Sequence, residues 1–245
     1  LVNTADGNSA FGYFSGNANT TGTSNSFFGY ASGGACTTGD NNTAIGSGAN
    51  AGTTGNNNTS VGCAAGAAIS TGGNNTAVGH NALENNTTGS DNTAIGQDCM
   101  FTNTTGSNNV ALGENALYYN NANENTALGK TAMQENTSGT LNTALGARTL
   151  DANTTGSYNV AVGHKALTTA TTADENTAVG YTACHNTTTG HSNAALGTCA
   201  LQENSTGDYN VALGASALRR CSEGNHNIAI GHAAGDHITS CLLYT

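Results

Sequence analysis

Proline and tryptophan are absent from this chain, charged residues make up only 8% of it and aromatics 5%. Five Lys and Arg stand against fifteen Asp and Glu, for a formal charge of −10. Phosphate recognition needs concentrated positive charge, so no nucleic-acid partner is expected. No apolar run approaches the roughly 18 residues of a membrane-spanning helix, so no membrane insertion is expected of this stretch. Leu1-Val2-Asn3 shows neither an initiator Met nor a charged-then-apolar leader, and the chain reads as a mature or trimmed piece. None of the seven cysteines forms a Cys-x-x-Cys pair, which removes zinc and thioredoxin-like readings. Buried or half-buried thiols are expected, with a Cys221 to Cys241 bridge or bridges between chains as the alternative.

What the chain has is one box, written many times. Asn42-Thr-Ala-Ile-Gly46 returns as Asn75-Thr-Ala-Val-Gly79, Asn142-Thr-Ala-Leu-Gly146 and Asn227-Ile-Ala-Ile-Gly231, fourteen copies in all. The closing glycines step by seventeen residues eleven times and by sixteen twice. Low charge with abundant Asn, Thr and Gly would suit disorder, but strict periodicity with an aliphatic at a fixed place argues against it. A fixed period of this length marks a solenoid, in which each repeat is one coil stacked on the last. The fold class expected is therefore all-β, a parallel β-solenoid (β-roll) of about fourteen 17-residue coils.

Counted from the box glycine as zero, each repeat reads Asn, Thr, Ala, aliphatic, Gly, x, x, Ala, Leu, x, x, Asn, Thr, Thr, Gly, x, x. Two short strands per coil are expected, the box and a second centred on Ala82-Leu83 and its equivalents, with Asn-Thr-Thr-Gly as the return turn. Asparagine at minus four predicts an amide ladder along the stack, formed by Asn42, Asn58, Asn75, Asn92, Asn109, Asn125, Asn142, Asn159, Asn176, Asn193, Asn210 and Asn227. Minus three and minus one share one strand face and minus two takes the other. Minus one is always apolar and is assigned here to the coil core. Minus two is Ala in twelve copies, with Phe27 and Ser60 the exceptions; such constancy suggests a second buried face, packed on another chain.

The first and last coils differ from the middle. Gly16, Gly33, Gly66 and Gly235 replace the usual Leu or Met, and Phe11, Phe28, Tyr13 and Tyr30 gather at the start, features suited to capping. One residue is lost from the return turn near Gly52-Thr53 and again near Asn121-Ala122. The organisation expected is a partial coil or cap over 1–7, solenoid over 8–235, and a tail or further element over 236–245.

The box, above all as Asn109-Val-Ala-Leu-Gly113, Asn159-Val-Ala-Val-Gly163 and Asn227-Ile-Ala-Ile-Gly231, resembles the head repeats of trimeric autotransporter adhesins. Gly113-Glu114-Asn115-Ala116 continues the likeness, and phage tail-fibre-like surface proteins carry similar repeats. The resemblance implies a left-handed β-roll, a trimer and an extracellular place on a cell or virion surface. The period departs from the adhesin pattern, with the additional residues falling near Asn-Thr-Thr-Gly.

No catalytic constellation emerges: the acids are scattered and no Ser-His-Asp or Cys-His spacing clusters, so an enzyme is not expected. His80, His164 and His232 share a place in the repeat but lie in coils too far apart to share a metal ion. Gly-Asp-Asn at 39–41 and Ser-Asp-Asn at 90–92 are too sparse for a calcium β-roll. No cofactor is expected. Adjacent threonines in Asn-Thr-Thr-Gly point to opposite sides, which suits a turn rather than an ice-binding rank. The sequons at Asn19, Asn86, Asn103, Asn153 and Asn186 arise from the repeat itself.

These observations favour a structural or adhesive fibre segment that forms a homo-oligomer, with trimer ahead of end-to-end filament. A host surface or glycan is the candidate receptor. Ice or glycan binding by the solenoid is the weaker alternative.

Overall fold

A computed structural model describes residues 5–50, 52 and 54–238. The chain divides into two compact units, Leu1–Asn123 and Glu124–Thr245. In the first unit lie β1 (Ser9–Phe11), β2 (Ser26–Phe28), β3 (Thr43–Ile45), β4 (Thr59–Val61), β5 (Thr76–Val78), β6 (Thr93–Ile95) and β7 (Val110–Leu112). In the second lie β8 (Thr126–Leu128), β9 (Thr143–Leu145), β10 (Val160–Val162), β11 (Thr177–Val179), β12 (Ala194–Leu196), β13 (Val211–Leu213) and β14 (Ile228–Ile230). Within each unit successive strands pair in parallel and in register, as in Thr76↔Thr93 and Ala178↔Ala195. Each unit is a parallel β-solenoid, and among the described residues there is no helix.

Each coil holds one strand, not two. The stretch around Ala82-Leu83 is a run of turns, because Asn81 and Leu83 both take left-handed backbone, φ 55 and 54. Extended structure cannot alternate in this way. The coils remain tied there: Leu83 N–H donates to Cys99 O at 2.9 Å and Asn81 N–H to Cys63 O at 3.0 Å. Closure of the strand requires glycine. At Gly79 φ is 136, and a Cβ would sit 2.5 Å from Gly96 O of the next coil.

The strand faces are also the reverse of the expectation. Ala at minus two points into its own coil, with Ala44, Ala77, Ala94, Ala144 and Ala161 at 0% exposure. The minus-one residues face outward, as Ile45, Leu112, Leu145, Leu196 and Leu213 all do. The inference that Ala packs on another chain is thereby overturned. Its constancy has an internal cause. Leu83, Met100, Leu117, Met133, Leu150, Leu167, Leu201 and Leu218 at plus four fill the interior, together with Ala at plus three, and a thin coil leaves room for only a methyl opposite them.

Exceptions to Ala are matched by exceptions elsewhere. Phe27 at minus two is 1% exposed, and a Cβ on Gly33 would lie 2.5 Å from its ring. Gly66 is similarly crowded by Ser60 and by Ile69, itself buried. The atypical glycines of these coils thus make room in the core.

Candidate functional site

Asparagine does the polar work inside the stack. The twelve ladder residues, Asn42, Asn58, Asn75, Asn92 and Asn109 in the first unit and Asn125, Asn142, Asn159, Asn176, Asn193, Asn210 and Asn227 in the second, are all buried. Asn92 donates from its backbone N–H (3.1 Å) and from Nδ2 (3.2 Å) to Asn75 Oδ1, and Nδ2 also reaches Gly106 O at 2.8 Å. Asn210 repeats the arrangement with Asn193 Oδ1 at 2.9 and 3.0 Å and Gly224 O at 2.7 Å. One amide therefore satisfies the strand entry and the return turn together, where unpaired groups would be costly.

A second buried ladder runs at plus seven, and reading the Asn-Thr-Thr-Gly stretch only as a turn missed it. Asn103 Nδ2 donates to Asn86 Oδ1 at 3.2 Å, and Asn153 Nδ2 to Asn136 Oδ1 at 2.8 Å. Both ladders meet on the turn glycine: Gly89 O accepts from Asn75 at 2.9 Å and from Asn86 at 2.8 Å, using both lone pairs. Where the turn is shorter, Ala122 O accepts from Asn109 and Asn120 instead. The signal was there in part: plus seven is Asn in seven of the fourteen coils, with an unbroken run from Asn86 through Asn103, Asn120 and Asn136 to Asn153. The ladder breaks where Ala170 follows Asn153, and Asn153 Oδ1 is buried with no hydrogen-bond partner.

The hydroxyls at plus eight are also engaged between coils. Thr87 Oγ1 donates to Thr104 O at 3.0 Å and Thr154 Oγ1 to Thr171 O at 2.9 Å. Asn19, Asn86, Asn103 and Asn153 of the sequons are buried, whereas Asn186 is exposed because Thr187 takes the inward place.

The remaining polar candidates also serve the stack. Asp40 Oδ1 accepts from Thr23 N–H at 2.7 Å and Oγ1 at 2.9 Å, bonds that hold its carboxyl below the usual range. Asp91 Oδ1 accepts from Asn74 Nδ2 at 3.0 Å. Arg219 pairs with Asp236 at 2.9 Å, and His191 Nδ1 lies 2.9 Å from Asp208. His80, His164 and His232 are exposed, and the His164 ring stacks on Tyr181 at 5.8 Å. Among the described residues no His, Cys, Asp and Glu gather in a metal-binding group, and no cavity forms.

Cys36, Cys99, Cys184 and Cys221 are buried, Cys199 is half-buried and Cys63 is exposed. Burial pushes the Cys99 and Cys184 thiols up to about 12, which makes them poor nucleophiles. Cys241, and with it the suggested Cys221–Cys241 bridge and most of the 236–245 tail, lies outside the described residues.

What is left for recognition is the outer strand face. Its two columns carry Ser or Thr, Val, Ala and Ile at minus three, and Phe, Ile, Val or Leu at minus one, with no charged residue in either. Among the described residues of the second unit, every exposed large hydrophobic lies in a strand or within two residues of one: Leu141, Leu145, Tyr158, Val160, Tyr181, Leu196, Tyr209, Val211, Leu213, Ile228 and Ile230. In the first unit Phe11, Phe28, Ile45, Ile95, Val110 and Leu112 follow the same rule, joined by Tyr13 and Tyr30, whose rings stack at 6.0 Å, while Phe14 and Tyr119 are exposed in the turns away from the strands. Contiguous apolar patches on a protein surface commonly mark an interaction site. Compared with models of protein families, with curated proteins and with solved structures, the chain matches none.

Proposed function

We propose that this chain is a structural and adhesive segment of an extracellular fibre, displayed on a cell or virion surface and assembled from several copies of itself. The observation that carries the reading is the division of labour around each coil. Polar side chains are spent on holding one coil to the next, while the exposed large apolar ones concentrate on the strand face. Such a stack can be lengthened coil by coil at nearly constant energy per repeat, as a fibre segment demands. The outward apolar face supports assembly from like copies, and the repeat resemblance favours three of them. The reading assigns the chain no catalytic role and no cofactor. Its receptor would be a surface partner such as a glycan, engaged along a flank or by a tip the segment carries.

Immunogold labelling of intact producing cells or virions with antibody against the chain is the test. Surface label on unbroken particles is the expected result. Label that appears only after lysis would overturn the extracellular reading.

A further inference from the structure

We infer that the outer strand face of the second unit is a docking surface for a second copy of this chain. This inference rests on the homo-oligomeric reading above and gives that reading a surface. Three observations converge on it.

The first is area. The minus-three and minus-one columns of the seven strands hold fourteen outward residues, seven of them exposed large hydrophobics: Leu145, Val160, Leu196, Val211, Leu213, Ile228 and Ile230. At on the order of 60 Å² each, the fourteen present on the order of 800 Å². A standard stable interface takes about 800 Å² from each partner.

The second is charge. The chain carries −10 overall, so two copies repel wherever their acids meet. The minus-three and minus-one columns contain no charged residue, whereas Glu135, Asp151, Asp174, Glu203 and Asp208 sit at other places in the repeat. This face lets two like chains approach without setting carboxylate against carboxylate.

The third is pattern. Tyr158 and Tyr209 at minus five and Tyr181 at plus one border an aliphatic centre that includes Val160, Leu196 and Leu213, with Glu124 and Glu175 sharing the minus-five column at the rim. An apolar centre edged by amphipathic aromatics is the composition of an interface. The columns also repeat at the strand spacing, about 4.8 Å. An identical solenoid presents side chains at the same interval, so its ridges seat between these along the whole length.

The test uses the full chain with Cys63→Ser to remove the exposed thiol. Thr177→Cys places a thiol in β11, the fourth of the unit's seven strands, so either orientation of a docked copy brings it near its counterpart. Glu203→Cys places one away from the strand face. The inference expects oxidation to link Thr177→Cys chains efficiently and Glu203→Cys chains poorly. It also expects the pair Leu196→Asp and Leu213→Asp to reduce the solution mass to 24.3 kDa with an unchanged circular dichroism spectrum. Efficient linking at Glu203→Cys but not at Thr177→Cys would overturn this face while leaving self-association standing. A monomer with no linking at either site would overturn the face and the homo-oligomer together. Should the Asp pair fail to fold, the two linking yields decide.

Discussion

The Phe27 ring occupies the space that a side chain on Gly33 would take: a Cβ built there lies 2.5 Å from Phe27 Cδ1. From the fifth coil onward the relation is usually inverted, with Ala at minus two and Leu or Met at plus four, as in Ala77 with Leu83. The Phe27 ring also reaches the preceding coil, where a Cβ on Gly16 would lie 2.9 Å from it. Gly33→Ala meets both the ring and a backbone at φ 59, so it is expected to cost about 2–4 kcal/mol. Phe27→Ala combined with Gly33→Leu should recover much of the separate losses. Denaturant titrations of the singles and the double measure that coupling; additive losses would contradict the compensation.

The break in the inner ladder offers a gain. Asn153 Oδ1 lacks a donor because Ala170 occupies the next place. Ala170→Asn supplies Nδ2 at the position that Asn153 itself uses toward Asn136, and should stabilise the chain by about 1 kcal/mol. A rise of a few degrees in melting temperature is the expected readout, and a fall would show that the site cannot hold the amide.

In the outer ladder Asn159 shows the opposite sign. It accepts from Asn176 N–H at 3.0 Å and donates to Asn142 Oδ1 at 3.1 Å and Ala173 O at 2.7 Å. Asn159→Ala strands partners on three sides and should cost about 2–4 kcal/mol, against a few tenths for an exposed residue such as Glu203→Ala.

Alkaline pH tests the buried thiols. Cys99 and Cys184 titrate near 12 when folded because burial disfavours the thiolate, while in the unfolded chain they ionise near the ordinary value of about 9. Between these limits the unfolded state binds fewer protons, so stability falls as pH rises from about 9 toward 12. Below about 9 the contribution is fully present. Replacing both with Ala should flatten the urea midpoint over that window relative to the unsubstituted chain, after allowance for the lost side-chain volume. An equal alkaline decline in both proteins would exclude these thiols as its cause.

Much of the fold was written in the repeat. The spacing of the box glycines set the coil length, and Asn at minus four set the ladder, since an amide in every coil has its own copy as the nearest partner. Alternation along the strand separated minus two from minus one but carried no information on which is inside. Val78 and Leu83 both look like core residues; only coil thickness decides between them, and Leu83 reaching across leaves space for Ala77 alone. The left-handed backbone at Leu83 was equally hidden, because nothing in Ala-Leu distinguishes a turn from a strand. Phe27 and Gly33 were visible as separate oddities, and their relation needed three dimensions. The apolar outer face went unread because its residues had been assigned to the core.

The difference between inside and outside can be measured directly. Leu117 is fully buried and Leu112, in the same coil, is 45% exposed. Leu117→Ala should cost about 2–5 kcal/mol in the dissociated chain, and Leu112→Ala less than about 1. Equal costs would contradict the assignment of faces.

The central claim is that the outward aliphatic column is covered by further copies of the chain. Light scattering on size-exclusion fractions across a concentration series addresses it most directly. The account predicts a discrete mass near three times 24.3 kDa, falling to the single-chain value when Leu128→Asp and Leu145→Asp place charge on the column. A mass of 24.3 kDa at every concentration, with Ile45, Leu145 and Leu196 left in water, would contradict it.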